Sequence, residues 1–323
     1  MNEDEINDVR EAKAFRGITF SKFKKADVKK ELLNNMFNGK IENSCYWSAE
    51  LVCAGHFMEL WEIILIFSNK HIHLGNPKLP IYIDMRFQAF KEIVQNGYID
   101  NEIRMRNNEK IRKMFAEIIC VLCNSTKKHS FEIIKIKDDD FDMTTMTDRL
   151  KAKNVFYVQP VFMKGDPKEL FIALNELAYN ISNDSKNMVA ACYWIEWILE
   201  FETRCTKRRE KCCCERRANM PVHEKYQMDI IWIVWDIFLN ESSKKPKIIQ
   251  KIIKSSLDLF ALRFTPNVKK RRRFLLYYIV SLLTEPVATT IPIITNTNVI
   301  TNVQGKINTV YRQIKKKCTT SRN

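Results

Sequence analysis

Glycine and proline are scarce, at 7 and 9 among 323 residues. A turn-rich sandwich or barrel draws on more of both, and a phosphate-cradling loop draws on glycine. The chain has no G-x-G-x-x-G, no G-x-x-x-x-G-K-[ST] and no H-E-x-x-H, which excludes the common nucleotide-binding and metalloprotease designs. Long apolar runs are missing as well. IIWIVWDIFL (230–239) is interrupted by Asp236, and FLLYYIVSLL (274–283) is short, whereas a spanning helix needs roughly 20 apolar residues. Both read as core helices, and no transmembrane segment is expected. The opening MNEDEINDVREAKAF is charged and polar, unlike a secretory leader. The ten cysteines are therefore expected to be reduced thiols in a cytosolic compartment, several of them packed in apolar helical patterns.

Positive charge is what the chain has in excess: 53 Lys and Arg against 38 Asp and Glu, a net +15 at pH 7. Such a balance suggests an acidic partner, whether nucleic acid, a membrane surface or a negatively charged protein. The plainer alternative is a coding bias, since Ile and Asn are abundant too. A 46% hydrophobic and 28% charged composition suits a globular chain, and the length allows two ordinary domains.

Cys-Tyr-Trp occurs twice, in CYWSAELVCAGHFMELWEIILIF from Cys45 and in CYWIEWILEF from Cys192. Helical periodicity surrounds both. VKKELLNNMF precedes the first, with Asn43 or Ser44 as cap and Leu51, Met58 and Leu65 repeating on one face of a single helix. HLGNPKLP (73–80) is a loop, and IYIDMRFQAFKEIVQN and NNEKIRKMFAEIICVLCN are helices. LFIALNELAY precedes the second occurrence; YQMDIIWIVWDIFLN, KPKIIQKIIKSSLDLFALRF and VKKRRRFLLYYIVSLL follow it. Gly165-Asp166-Pro167-Lys168-Glu169 spells a helix start, with Asp166 as cap, and Asn183, Asp184 or Ser185 caps the next helix. The fold expected is mainly α: two tandem helical bundle domains, read as a duplication, with extended N- and C-terminal arms. Each Tyr-Trp pair would anchor one core; a chance recurrence is the alternative. The divisions are an arm at 1–25, helical domain 1 at 26–125, a connector at 126–164, helical domain 2 at 165–285 and an extended basic arm at 286–323. Within the connector, FEIIKIK and NVFYVQPVFMK read as short strands. The Thr-, Ile-, Asn- and Val-rich stretch after Pro286 favours extended structure.

Candidate sites are few. Cys205, Cys212, Cys214 and His223 supply the N and S ligands zinc prefers, although three consecutive cysteines make poor geometry and no Cys-x-x-Cys occurs there. The surrounding Lys and Arg would lower thiol pKa values, so a solvent-exposed basic loop is the alternative; no other cofactor is implied. Cys120 and Cys123 do form Cys-x-x-Cys but lie inside an apolar run. KDDDFD (137–142) lacks the glycine and ligand spacing of a calcium loop and reads as a solvated turn. His71 and His73 have no nucleophile elbow beside them, so no catalytic residue is assigned and no enzyme is expected. The basic runs are the clearest polar feature. Lys207, Arg208, Arg209, Lys211, Arg216 and Arg217 fall in one loop, while Lys269, Lys270, Arg271, Arg272 and Arg273 begin one helix. Cations at a helix N-terminus oppose the macrodipole, a local cost that an anionic partner would offset.

CYWSAELVCAGHFMELWEIILIF followed by HIHLGNPKLPIYIDMRF resembles a family of uncharacterised proteins of nucleocytoplasmic large DNA viruses, over roughly 44–90. The resemblance implies a viral context and, by analogy of fold, a minor capsid protein lying under the major capsid shell. That points to a virion structural protein binding neighbouring capsid proteins or the internal membrane surface, located in the virion and, during assembly, in host cytoplasm at the viral factory. The alternative is a basic nucleic-acid-binding or cyclin-like adaptor factor in viral replication, transcription or packaging.

Overall fold

A computed structural model of the chain describes residues 4–99 and 101–320, with side chains to Lys317; the outermost ends of both arms, 1–3 and 321–323, lie outside the described residues. The fold is mainly helical. No strand occurs among the described residues, which hold a single antiparallel bridge, Ile18 to Lys24. No described helix is long and apolar enough to cross a membrane.

Two compact units divide the chain, one formed by residues up to Lys128 and again from Ile291, the other by His129–Thr290. The first contains α1 (Lys25–Phe37), α2 (Ile41–Cys53), α3 (Phe57–Phe67), α4 (Leu79–Gln95) and α5 (Glu109–Asn124). The single helix expected over 44–67 is broken after Cys53. Gly55 takes φ +77°, and a Cβ there would meet the Ile103 side chain at 3.2 Å, so only glycine enters this left-handed turn without strain. The His56 ring nitrogen Nε2 donates to the Ile18 carbonyl at 2.7 Å and fixes the break. Trp61, fully buried, meets Phe87, Phe90 and Phe115 with centroids 5.1 to 5.7 Å apart. Such pairs add about 0.5–1.5 kcal/mol each beyond their burial.

Residues 297–320, expected as extended, form the helix α12 (Thr297–Thr320), packed on α2 and α5. Ile300, Ile307, Tyr311 and Ile314 are buried along one face. Burial of that stripe outweighs the weak helix propensity of the Thr, Asn and Val around it. Tyr311 lies under the Arg112 guanidinium at 4.1 Å, and Gln304 donates to Glu117 at 3.0 Å. The N-terminal segment is packed as well, with Ile6, Phe15 and Phe20 buried.

The second unit contains α6 (Met143–Arg149), α7 (Phe171–Ile181), α8 (Met188–Lys207), α9 (Ile231–Ser242), α10 (Lys247–Phe260) and α11 (Arg273–Thr284). Trp194, Trp232 and Trp235 are fully buried among them. The connector forms neither of the expected strands, and in its second half several backbone donors go to side chains. Asn175 Oδ1 accepts from the Tyr157 and Val158 amides, and Glu176 accepts from those of Lys151 and Ala152. Asp140, in the acidic run, is buried rather than solvated. It accepts from the Tyr193 hydroxyl, and its carbonyl accepts from the Trp197 indole, both at 3.0 Å. The α8 cap is Asn187, whose side chain accepts from the Ala190 amide; Asp166 caps nothing and has a different task.

Both Cys-Tyr-Trp segments lie on the second helix of a packed helical pair, α1–α2 and α7–α8. Their cysteines are buried, and in each the Tyr and Trp rings stand edge-on at 5.1 Å. The indoles differ, however: Trp47 is half-buried against Phe23, whereas Trp194 is interior. The repeat marks a shared local hairpin, without equivalent anchors.

Candidate functional site

The loop from Arg208 to Ile230 follows α8 and carries most of the residues singled out from the sequence. Two buried cations shape it. Arg217 is 1% exposed. It grips Asp166 through both terminal nitrogens at 2.6 Å, reaches Asp236 through Nε at 2.9 Å and donates to the Glu215 and Val161 carbonyls. This is the fork-to-carboxylate geometry that makes arginine suited to a buried pair. Burial pulls the Arg217 pKa down, but the hydrogen bonds to Asp166 and Asp236 outweigh it and the group stays charged. At Asp236 burial wins over the pull of Arg217 and raises the carboxyl above its usual value. Lys269, 2% exposed, donates to Glu202 and Asp229, each within 2.7 Å. Burial lifts Glu202 against the pull of Lys269.

These contacts correct the expected basic surface. Arg217 and Lys269 are interior cations neutralised by carboxylates. Arg272 is also buried and donates to the Phe260 and Leu262 carbonyls at 2.6 and 2.8 Å. Arg273, mostly covered, pairs with Glu196 at 3.3 Å. The helix α11 begins at Arg273, so the rest of that run forms the turn before it. Lys270 is exposed and pairs with Glu200, and exposed Arg216 pairs with Glu224. Arg271 is exposed. The exposed cations of the loop are concentrated at Lys207, Arg208, Arg209 and Lys211; Arg208 meets Glu210 at 3.0 Å. Arg209 adopts φ +60° at the tip, where α8 ends.

Of Cys205, Cys212, Cys214 and His223 the fold brings only Cys205 and Cys212 together, and no group of three potential metal ligands is clustered among the described residues. The Cys214 thiol donates to the Asp229 carbonyl at 3.2 Å, and His223 Nδ1 accepts from the Lys225 amide at 3.3 Å. Burial pushes the Cys214 thiol up to about 12 and raises Cys212, which shares a hydrogen bond with Cys205. The nearby cations therefore do not activate these thiols as the sequence suggested. The described cysteines from Cys45 to Cys214 are all free.

Asp166, Glu202, Asp229 and Asp236 were not recognised from the sequence as partners of these cations. One signal was there: Asp236 interrupts an otherwise apolar helix, and a carboxylate in such a place needs a buried cation or donor. The chain matches no protein-family model, no curated protein and no solved structure.

Proposed function

We propose that the protein is a virion structural component, a minor capsid protein whose helical units bind acidic faces of neighbouring capsid proteins or the internal membrane beneath the major shell. The observation that carries this reading is the division of the cations. Those that organise the fold are buried against carboxylates or backbone carbonyls, while Lys207, Arg208, Arg209 and Lys211 project at the end of α8 with Glu210 as their only acidic neighbour in the run. Concentrated exposed charge of one sign steers and orients an oppositely charged partner more than it stabilises its own fold. Quantitative mass spectrometry of purified particles tests the reading. A fixed copy number per particle is expected, and absence from particles would refute it.

A second reading, a nucleic-acid-binding factor in replication, transcription or packaging, is favoured by one further feature. Lys247, Lys251 and Lys254 are exposed at helical spacing along α10, a row that suits contact with successive phosphates. Retention of DNA that weakens steeply with salt is its expected signature; retention indifferent to salt would exclude it.

A further inference from the structure

Within the second unit a cleft of about 460 Å³ opens between the connector and the C-terminal ends of α7 and α9. Its character is opposite to that of the molecule: in a chain of net charge +15 it is lined by two carboxylates, Asp184 and Glu241, and one ammonium, Lys244. Glu241 is 4% exposed. Its Oε2 accepts from Lys244 at 2.7 Å, but its Oε1 is buried with no hydrogen-bond partner. A buried carboxylate oxygen left without a donor is costly, and a cationic donor is the group that would satisfy it best. At the rim, the Tyr157 hydroxyl donates to Asp184 at 2.6 Å, a bond that raises the phenol to about 12 and keeps it a donor. Phe156 is 62% exposed beside it, and Ile237 contributes to the apolar wall.

We infer that this cleft is a binding site for an alkylammonium ion, its stem lying against Phe156, Tyr157 and Ile237 and its charged head reaching Glu241, with Asp184 attracting it at the mouth. The Lys244 side chain already presents such a head to the same carboxylate, and 56% of it is exposed. It acts as a resident competitor that an incoming ammonium would displace or join. An ammonium on an apolar stem is found in free aliphatic amines and in lysine side chains of other proteins. Both satisfy the same atoms, and the inference does not depend on the capsid reading.

Calorimetric titration of the full chain with 1,5-diaminopentane, with an acetylated Leu-Lys-Leu amide and with pentan-1-ol tests the site. Saturable binding of at least one amine is expected, with none for the alcohol; which amine binds identifies the source. Glu241→Gln is expected to weaken binding roughly tenfold, as loss of a charge-assisted hydrogen bond does, and Lys244→Gln to tighten it. Should Glu241→Gln fail to fold, Asp184→Asn at the solvent-exposed rim provides the same readout with a smaller loss. No saturable binding of either amine, equal binding of the alcohol, or affinity unchanged in both carboxylate variants would overturn the inference.

Discussion

Arg217 shows what a single residue decides here. In the sequence it closes a run of basic residues and looks like its neighbours. In the fold its partners come from far along the chain, Asp166 and Asp236, and only that pairing separates a core cation from a surface one. No local pattern encodes it, which is why the exposed positions were legible as a basic cluster and the interior ones were misassigned to it. The pair predicts a large asymmetric effect. Asp166→Ala leaves both terminal nitrogens of a buried guanidinium without their carboxylate and should cost about 3 kcal/mol in urea unfolding, whereas Lys207→Ala should stay within about 0.5 kcal/mol; similar losses for the two would contradict the assignment. Asp236 adds a dependence on pH. Because burial raises its pKa from 3.8, the folded chain holds that proton more tightly than the unfolded one. Its contribution is fully present below the unfolded value and is lost as pH rises through the raised folded value. The stability difference, wild type minus Asp236→Asn, should therefore fall as pH rises above 3.8. A rising difference would mean that the attraction of Arg217 exceeds the burial penalty.

At the scale of elements, periodicity was a good guide wherever a helix presents a continuous apolar face. α4, α5, α9 and α10 stand close to where their spacing placed them, since an apolar stripe specifies both the helix and the side it buries. The reading failed where tertiary partners supply what the local sequence lacks. α12 is rich in Thr, Asn and Val, and four buried side chains hold it on α2 and α5. The connector has β-prone residues, but in its second half Asn175 and Glu176 take amides of Lys151, Ala152, Tyr157 and Val158 that strand pairing would use. The cleft went unnoticed because Glu241 and Lys244, three apart on the sequence, look like an ordinary surface pair. If α12 is held by packing, Tyr311→Ala should lower stability by about 3–5 kcal/mol, the usual cost of emptying a buried aromatic site, read from the chemical denaturation midpoint. A loss below about 0.5 kcal/mol would indicate that this helix is not part of the core.

For the whole molecule, the charge balance becomes a statement about partners only after the interior cations are set aside. The +15 of the chain includes Arg217, Lys269 and Arg272, which serve the fold. Among the cations that remain exposed, four stand within five residues at the end of α8 and three form a row along α10. The mainly helical class was legible from composition and spacing, because few glycines and prolines interrupt the helical pattern. The site itself was legible only as a region, since exposure separates binding residues from structural ones and exposure depends on contacts far apart in the chain. The most direct test of the proposed role is incorporation of the triple variant Lys207→Glu, Arg209→Glu, Lys211→Glu into virus particles, measured beside wild type by quantitative mass spectrometry after circular dichroism has shown the same helical fold. The account predicts a fixed number of wild-type copies per particle and a loss of at least tenfold for the variant. Wild-type protein missing from particles, or the folded variant incorporated at the wild-type level, would contradict it.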